Sequence, residues 1–548
     1  MWEGLWSGML IGIKTTMIPI NFGLVLMGCF VGSFIGMMPG LGPITAVALM
    51  IPMTYAFDPA SGMVLLAGVY YGAIFGGSTC SILINAPGEA ATVATAIDGY
   101  PMAQQGKPGK ALAIAAYSSF TGGTLAVILL MLGAPLMANV AKNFQSSDYF
   151  ALMVMGLCAV SAFAGPGGFL MALLMTVVGL MLSTVGTDQT SGVQRFTFGS
   201  MNLLDGLSFI MLAMATFAVT EAFIMVLKRQ DTTGVFKAQN LASISDLKVT
   251  RREFKKIAPT LGRCSLLGFF IGALPGAGAT LGSFLSYGME QRLAKPEDRK
   301  QFGKGSIIGL AAPETGNNAA SSGSFIPLLT LGIPGSGTTA VMLGALIAYG
   351  IEPGPRMFVE RPEVFWAVIM SMYLGNVFLL ILNLPLIPYF ARLLAVPRNI
   401  LIPGIIFFSI IGVYLITFNN FDINAMILIS VIALVLRLFE FPMAPLLLGF
   451  ILGGLMEDNL RRSLMIYDGS MAFLWERPIT LGINLVTLAF LATPVVQWFL
   501  NLRRRDRSIS PMVFEPAQAR PVDILPRYRV IMLRHQWKIF AHDLKNNV

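Results

Sequence analysis

Long apolar stretches alternate with short polar segments along most of this chain. Three of them, at 111–140, 364–394 and 479–499, contain at most one charged residue each. Each is long enough to cross the hydrocarbon core of a bilayer, which takes about 20 residues in a helix. Because lipid offers the backbone no hydrogen-bonding partner, segments of this kind span membranes as helices. The pattern predicts an all-α polytopic membrane protein.

Two apolar stretches end in the same interruption, a Gly-x-x-x-Gly pattern followed by Pro-Gly-x-Gly. The first copy occupies 32–42 and the second 268–278, 236 residues further on. A second shared element, Pro-Gly at 87–88 and at 334–335, recurs with an offset of 247 residues. Gly and Pro at corresponding places in two related hydrophobic halves are typical of the broken helices at the substrate site of a secondary transporter. The sequence thus predicts a duplication.

The duplication divides the chain into four parts. A first transporter repeat covers 1–227 and a second covers 258–501, with a basic linker at 228–257 between them and a polar tail at 502–548. Each repeat is expected to contain a broken, re-entrant-type helix hairpin, a second interrupted segment, a long spanning helix and further helices. The linker and the tail are expected in the cytoplasm.

The distribution of charge predicts that the two repeats have inverted topology. The loop 57–61 has no Lys or Arg, whereas the corresponding stretch 291–304 has five. Because basic loops remain in the cytoplasm, the first hairpin should open to the outside and the second to the inside. Arg461 and Arg462 fit this scheme less well, since a simple helix count places them outside.

The Pro-Gly-x-Gly interruptions supply candidate binding groups. A helix broken inside a membrane exposes N–H groups at one half-helix start, which suit a carboxylate, and C=O groups at the other end, which suit a cation. Close helix packing through Gly-x-x-x-Gly is the alternative interpretation. The predicted site residues in and just beyond these loops are Pro39, Gly40, Gly42, Thr45, Pro275, Gly276, Gly278, Thr280 and Ser283.

Second interrupted segments are predicted at 85–89 and 313–318, and the latter is followed by further small polar residues. So many small polar residues between apolar runs fit a water-accessible cavity. Asn side chains in it could bind a carboxylate or a cation, because they both donate and accept hydrogen bonds. Hydrogen bonding between helices is the alternative. The predicted site residues here are Asn85, Pro87, Gly88, Glu314, Asn317, Asn318, Ser322, Pro334, Gly335, Ser336 and Thr338.

Ionisable residues inside apolar stretches are functional candidates, because an unpaired charge in a membrane is costly. Glu314, within the polar cluster, is the best candidate, and Glu89 is similar. Hydration near the membrane surface explains Glu221, which lies two turns before Lys228. Arginines at the ends of apolar runs, such as Arg437, are interpreted as snorkelling anchors or ion-pair partners.

Composition limits the other functional classes. The net charge is +9 at pH 7, but Lys and Arg cluster at the ends of apolar stretches, so membrane orientation explains it and no nucleic acid partner is expected. The four cysteines lack paired spacing and are expected to be small buried residues, and no metal site is predicted.

No catalytic residue is assigned, since neither a His-Glu-x-x-His nor a Gly-x-Ser-x-Gly motif occurs. A polytopic membrane enzyme acting on a lipid-linked or membrane substrate is the alternative function.

The order of these segments resembles the large permease subunit, TctA, of the tripartite tricarboxylate transporters. The resemblance covers roughly residues 5–500 and rests on the segments 32–43, 84–102, 186–206, 313–339 and 452–464. It implies a multi-pass protein of the bacterial inner membrane that receives a small organic carboxylate, a tri- or dicarboxylate, from a periplasmic substrate-binding protein. Import would be driven by a coupling cation, Na⁺ or H⁺, without another cofactor, and a small membrane subunit of the TctB type is the implied partner.

Overall fold

The computed structural model describes residues 2–38, 40–141, 143–162, 168–188, 190–227, 247–276, 278–351, 353–384, 386 and 398–505. Pro39, most of the expected linker and the tail from residue 506 lie outside the described residues, and what the sequence predicts for them stays a prediction. Residues 1–497 form one compact unit. A second unit begins at Trp498, and the described part of it, 498–505, is the end of the last helix.

The described part of the chain up to Leu227 contains nine α-helices. A 3-10 turn (Ala90–Thr92) precedes the fifth, a π-helical stretch (Met214–Val219) lies within the ninth, and two antiparallel two-residue strands, β1 (Gly186–Thr187) and β2 (Gln194–Arg195), follow the eighth. The helices are α1 (Trp2–Thr16), α2 (Pro19–Gly36), α3 (Gly42–Thr54), α4 (Pro59–Ile84), α5 (Val93–Gln104), α6 (Pro108–Ala141), α7 (Ser146–Ala162), α8 (Gly168–Ser183) and α9 (Phe209–Leu227).

The described chain after the linker is also helical. Within the described residues of the whole protein, eight helices are long and apolar enough to cross a membrane, which confirms the predicted all-α polytopic class. The later helices are α10 (Arg251–Ala273), α11 (Gly278–Leu293), α12 (Pro296–Arg299), α13 (Ile307–Gly323), α14 (Phe325–Leu331), α15 (Gly337–Ala348), α16 (Pro355–Glu360), α17 (Pro362–Asn383), α18 (Arg398–Thr417), α19 (Asn420–Leu438), α20 (Met443–Ile466), α21 (Phe473–Glu476) and α22 (Pro478–Arg505).

Both halves contain the same order of helices and breaks. The helices α2, α3, α4 and α5 of the first half are followed by the long α6, and the second half has α10, α11, the consecutive pair α13 and α14, α15 and then α17. In each half the Pro-Gly-x-Gly motif separates the first two helices, α2 from α3 and α10 from α11. The Pro-Gly pair then separates α4 from α5 in the first half and α14 from α15 in the second.

Glycine is required at the first break of each half by its backbone conformation. Gly40 and Gly42 have φ of +93° and +59°, and Gly276 and Gly278 have φ of +76° and +60°. Side chains other than Gly pay about 1–2 kcal/mol in this left-handed region. The repeated motif therefore encodes the same pair of left-handed residues twice.

The predicted interruption at 313–318 is wrong. The helix α13 is continuous from Ile307 to Gly323 with Pro313 inside it, and the break of this half lies later, between Leu331 and Gly337. A proline within a membrane helix is tolerated where neighbouring groups satisfy the backbone. The alanine pairs on either side of the segment, at 311–312 and 319–320, are strong helix formers.

The Gly-x-x-x-Gly part of each motif packs helices together. A Cβ added to Gly32 or Gly36 on α2 would clash with a backbone carbonyl of α4. A Cβ added to Gly272 on α10 would clash with the carbonyl of Ala320 on α13. Helix backbones approach this closely only where side chains are absent. The packing interpretation thus holds for these glycines, while the left-handed conformation explains the glycines of the break.

Basic loops meet at one end of the compact unit, here called the Lys107 end. Lys110 Nζ lies 2.8 Å from Glu253 Oε1, and Lys256 Nζ lies 2.5 Å from Asp298 Oδ1. Gln105 Nε2 donates to the Lys304 carbonyl at 2.8 Å. The loops before α6, before α10 and before α13 are therefore joined by polar contacts at this end.

The opposite end, here called the Arg461 end, contains arginines held in ion pairs. The helix α6 runs away from the Lys107 end, so α7 begins at the Arg461 end, where Asp148 pairs with Arg477 at 2.8 Å. Arg461 lies 2.7 Å from Asp188 and 2.6 Å from Glu457, and its hydrogen bond holds the pKa of the Asp188 carboxyl below its usual range. Arg461 thus joins the β1–β2 segment to the last turns of α20.

Topology is tested by cysteine labelling at two exposed positions. Ala56 lies between α3 and α4, one residue before the stretch 57–61 that has no Lys or Arg, and Glu297 lies in α12 within the basic stretch 291–304. Ala56→Cys and Glu297→Cys should react with a membrane-impermeant thiol reagent from opposite sides of the membrane, because the basic loop is retained in the cytoplasm. Three native cysteines are buried and Cys158 is partly exposed, so a Cys158→Ala background is used. Labelling of both positions from one side would exclude inverted repeats.

Candidate functional site

The predicted site residues are mostly buried in the compact unit. Pro39 lies outside the described residues, Gly40 and Asn85 are exposed, and Asn85 is the left-handed C-cap of α4. Partly exposed are Gly42, Pro87, Gly276, Thr280 and Ser336. Buried are Thr45, Gly88, Pro275, Gly278, Ser283, Glu314, Asn317, Asn318, Ser322, Pro334, Gly335 and Thr338.

The two breaks of each half contact one another. A Cβ on Gly88 would lie 2.5 Å from the Gly36 carbonyl oxygen, at the end of α2. The corresponding glycine of the second half, Gly335, would place a Cβ 2.8 Å from the Gly272 carbonyl oxygen. Each half therefore brings its predicted loops together as one pair, and the contact is the same in both.

The loop pairs of the two halves also meet each other. Ser283 Oγ on α11 donates to the Ala91 carbonyl at 2.8 Å, which joins the second half to the 3-10 turn before α5. Ile44 on α3 lies against Gly337, the first residue of α15. The structure thus gathers the four breaks into one region between the halves.

Two further contacts across the halves involve corresponding positions. Asn317 Nδ2 donates to Glu89 Oε1 at 3.3 Å, and the Tyr70 hydroxyl lies 3.4 Å from Ser336 Oγ. Tyr70 and Asn317 are 247 residues apart, as are Glu89 and Ser336. Glu89 of the first half therefore contacts Asn317 of the second, and their counterparts Ser336 and Tyr70 make the equivalent contact in the opposite direction.

The same four residues show that the chemistry is not duplicated. The Glu89 position carries a carboxylate in the first half, and its counterpart Ser336 carries a hydroxyl. Both serve as helix caps, since their N–H groups donate to Thr92 Oγ1 at 3.5 Å and to Thr339 Oγ1 at 2.8 Å. The scaffold is repeated, but an acid is present on one side only.

Glu314 is the centre of the polar region. Its side chain is fully buried and accepts hydrogen bonds from Ser78 and Ser119, each at 2.8 Å, and from Thr95. The three hydroxyls come from α4, α6 and α5 of the first half, whereas Glu314 lies on α13 of the second. Within the described chain no Lys or Arg pairs with this carboxylate. Three hydroxyl donors therefore take the place of a counterion.

Hydrogen-bonding capacity is left over next to Glu314. Among the residues that the structure describes, the buried side-chain oxygens of Asn317 and Asn318 have no hydrogen-bond partner, and neither amide atom of Asn376 on α17 has one. An unsatisfied buried polar atom costs about 1–3 kcal/mol. A protein tolerates several of them together where the groups serve a ligand.

A small cavity lies beside Glu314. Its volume is about 10 Å³, enough for one water-sized species, and Ser78, Thr79, Ser119 and Asn383 line it together with five apolar residues. One small occupant would therefore lie among polar and apolar side chains next to Glu314. Within the described residues there is no group of three His, Cys, Asp or Glu side chains of the kind that holds a tightly bound metal ion.

Sequence reasoning missed the hydroxyl partners of Glu314. Ser78, Thr95 and Ser119 lie on three different helices and no recognised motif joins them, so the sequence does not show that they meet at Glu314. The available signal was helical spacing: Glu314, Asn317, Asn318 and Ser322 recur at intervals of three and four residues and so share one face of α13. A polar face on a membrane helix must contact polar side chains of neighbouring helices.

Glu221 was also misinterpreted. Its side chain is 5% exposed, which excludes hydration near the membrane surface, and its Oε2 lies 2.5 Å from Arg437 Nη1. A Cβ on Gly40 would lie 3.0 Å from Glu221 Oε1, so this ion pair borders the first break. The interpretation of Arg437 as an ion-pair partner is confirmed.

The described fold and its polar centre define a polytopic membrane protein whose broken helices enclose buried hydrogen-bonding groups. Residues 22–448 match the model of the tripartite tricarboxylate transporter TctA family, and the chain belongs to that family. The predicted resemblance is confirmed.

Two related proteins of Agrobacterium vitis are similar to this chain. The "Uncharacterized 52.8 kDa protein in TAR-I ttuC' 3'region" is 43% identical over 485 residues, which cover 88% of this chain and 95% of that protein. The "Uncharacterized protein in TAR-II ttuC' 3'region" is 44% identical over 233 residues, which cover 42% of this chain and 96% of that protein. No solved structure matches this chain.

Alanine substitutions at the two breaks should have different consequences. Gly40→Ala meets one side-chain atom, Glu221 Oε1 at 3.0 Å, so the protein should fold and lose uptake rate through strain of about 1–2 kcal/mol at the loop. Gly276→Ala meets the Val160 backbone at 2.6 Å and should lower the amount of folded protein.

The measurements are monodisperse yield in detergent and initial uptake per folded molecule. Gly262, which has open space around it, is the control. Normal uptake by Gly40→Ala would show that this loop is not part of the transport site.

Proposed function

We propose that this chain is the large permease subunit of a binding-protein-dependent secondary transporter that imports small organic anions by symport with Na⁺ or H⁺. Membership of the TctA family supports transport, and the observation that carries the mechanism is the buried Glu314 carboxylate held by hydroxyls of the other half. The proposed substrates are tri- and dicarboxylates. The proposed location is the bacterial inner membrane.

The two repeats, 1–227 and 258–501, are proposed to have inverted topology. The reciprocal contacts of Glu89 and Ser336 support a two-fold relation between them. A second support is the crossing of α6 and α17, where Gly123 lies against Asn376. These two positions are 253 residues apart, the same offset as that between Gly122 and Gly375 in the corresponding long apolar runs, so they are counterparts. A position that contacts its own counterpart lies on the axis that relates the halves. With the opposite charge of the equivalent loops, this axis lies in the membrane plane.

Glu314 is proposed as the cation-binding residue. Hydroxyls of Ser78 and Ser119 donate to the carboxylate and can rotate to accept from a protonated carboxyl, so a proton fits the site. The same oxygens, with Asn383 and the small cavity, also fit a dehydrated Na⁺. Either ion compensates a charge that is otherwise costly inside a membrane.

The organic anion is proposed to bind at the loop pairs, next to the cation. The helices α3, α11 and α15 begin at the breaks, and their first N–H groups and dipoles favour carboxylate. Ser336 and Thr338 at the start of α15, with Thr280 on α11, add hydroxyl donors, and Ser283 on α11 could do so on releasing the Ala91 carbonyl. Asn317, which donates to Glu89, and Asn318, one helical turn after Glu314, are proposed to contact both ligands.

The proposed partners follow from the family. A periplasmic substrate-binding protein would deliver the anion at the Arg461 end, and a small membrane subunit of the TctB type would complete the transporter. The lipid bilayer surrounds the compact unit, and no nucleic acid partner is proposed. A membrane enzyme acting on a lipid-linked substrate is not favoured, because the family is one of transporters.

Ion dependence of uptake tests the role of Glu314. If Na⁺ is the coupling ion, proteoliposomes containing Glu314→Gln should need about tenfold more Na⁺ for half-maximal uptake, because losing one charged ligand costs about 1.4 kcal/mol of binding free energy. If the coupling ion is a proton, the variant should lose the dependence of uptake on a proton gradient. The curve is measured as initial uptake per folded transporter, with Na⁺ and pH varied separately.

Glu290→Gln is the matched control for this experiment. Glu290 is a second buried glutamate, but Arg263 neutralises it in an ion pair at 2.7 Å, and Thr260 donates a hydrogen bond to it. Its substitution should lower the folded amount and leave the ion curve of each folded molecule unchanged. An unshifted ion curve for Glu314→Gln would remove Glu314 from the cation site.

A further inference from the structure

A large cavity opens at the Arg461 end, away from Glu314. Its volume is about 480 Å³, which lies within the range of small-molecule pockets. The walls come from the start of α7, the residue after α14 and the last turns of α20. Lining residues that bear on its chemistry are Gln145, Ser146, Gly332, Asp458, Asn459 and Arg462.

Arg462 differs from the other arginines of this end. Arg195, Arg461 and Arg477 each form an ion pair at 2.9 Å or less. Arg462 is exposed in the cavity and has no ion-pair partner among the residues that the structure describes. A guanidinium presents two parallel N–H donors that match a carboxylate. An accessible, unpaired guanidinium in a concave site is suited to an anion.

The cavity is continuous in sequence with the proposed substrate site. Gly332 lines it and ends α14 in the left-handed conformation, with φ of +71°. Ser336, which caps α15 in the loop pair of the second half, follows four residues later, a reach of at most about 14 Å. An anion in the cavity is therefore one short loop away from the start of α15.

We propose that this cavity is an outer vestibule in which Arg462 captures a carboxylate group of the substrate before it reaches the loop pairs. The inference rests on the proposed transport function. Lys-rich loops mark the Lys107 end as cytoplasmic, so the Arg461 end faces the side from which a binding protein delivers. Asp458, one helical turn before Arg462, also lines the cavity and is not paired with it. Asp458 repels a second carboxylate from its wall and accepts a hydrogen bond from a ligand hydroxyl, so it selects the orientation of the anion.

Substrate protection of an introduced cysteine tests the vestibule. Ser146→Cys in the Cys158→Ala background is labelled in sealed cells with a membrane-impermeant thiol reagent, with and without citrate or succinate. The cysteine should react from outside, and at least one of the two anions should slow its reaction. Adding Arg462→Gln should abolish the protection. Arg361→Gln, at an exposed arginine outside the cavity, should retain it.

Uptake kinetics provide the second readout. Arg462→Gln should raise the half-saturating concentration of the transported anion about tenfold, and Arg462→Lys should raise it less, because charge is kept while the two-pronged contact is lost. The ion curve should not move. Unchanged protection and half-saturation in Arg462→Gln, or protection by neither anion, would overturn the vestibule while wild-type uptake continued. Absence of uptake by the wild type would instead contradict the proposed function, and the protection assay would remain informative.

Discussion

The fold depends on the need to satisfy the backbone groups that a helix break releases inside a membrane. Lipid cannot hydrogen-bond to them, so a break must lie against protein. Here each break of a half lies against the other break of the same half, with Gly88 on the carbonyl of Gly36 and Gly335 on that of Gly272. Glycine is needed for two reasons: Gly40 and Gly276 adopt a left-handed conformation, and Gly88 and Gly335 let one break pack against the backbone of the other. These two loop pairs fix the half-helix ends that border the polar centre.

Close packing and polar contact have separate roles around the loops. Within the first half, glycines of α2 bring its backbone against α4 and so fix the direction in which the first break points. Between the halves at the centre, hydrogen bonds of Glu314, Asn317 and Ser283 to groups of the first half accompany the close packing of Gly122 on α6 against the Thr315 carbonyl. Such bonds can be exchanged for bonds to a ligand without opening a hydrophobic core. The interface between the halves is therefore where binding of an ion or anion can alter the balance of contacts.

The sequence predicted those features that are local. The left-handed breaks at Gly40 and Gly276 follow from the Pro-Gly-x-Gly motif, because the conformation itself demands glycine. The interruption at Pro313 was wrong because a proline alone does not break a membrane helix whose neighbours satisfy the backbone. The identity of the hydroxyls that hold Glu314, and of the carboxylate that pairs with Arg437, could not be predicted, since those contacts join residues more than 190 positions apart.

A repeated scaffold with unrepeated chemistry is the most informative property of the centre. Glu314 lies on α13, and the residue 247 positions earlier on α4 is Ala67, while Glu89 corresponds to Ser336. The duplicated breaks thus supply matching half-helix ends on both sides, whereas neither Glu314 nor Glu89 has a carboxylate at its counterpart position. Under the proposed function this means one cation site shared by the two halves rather than one in each. Such a site must be reached from each side of the membrane in turn, and two halves related by an axis in the membrane plane provide equivalent routes to it.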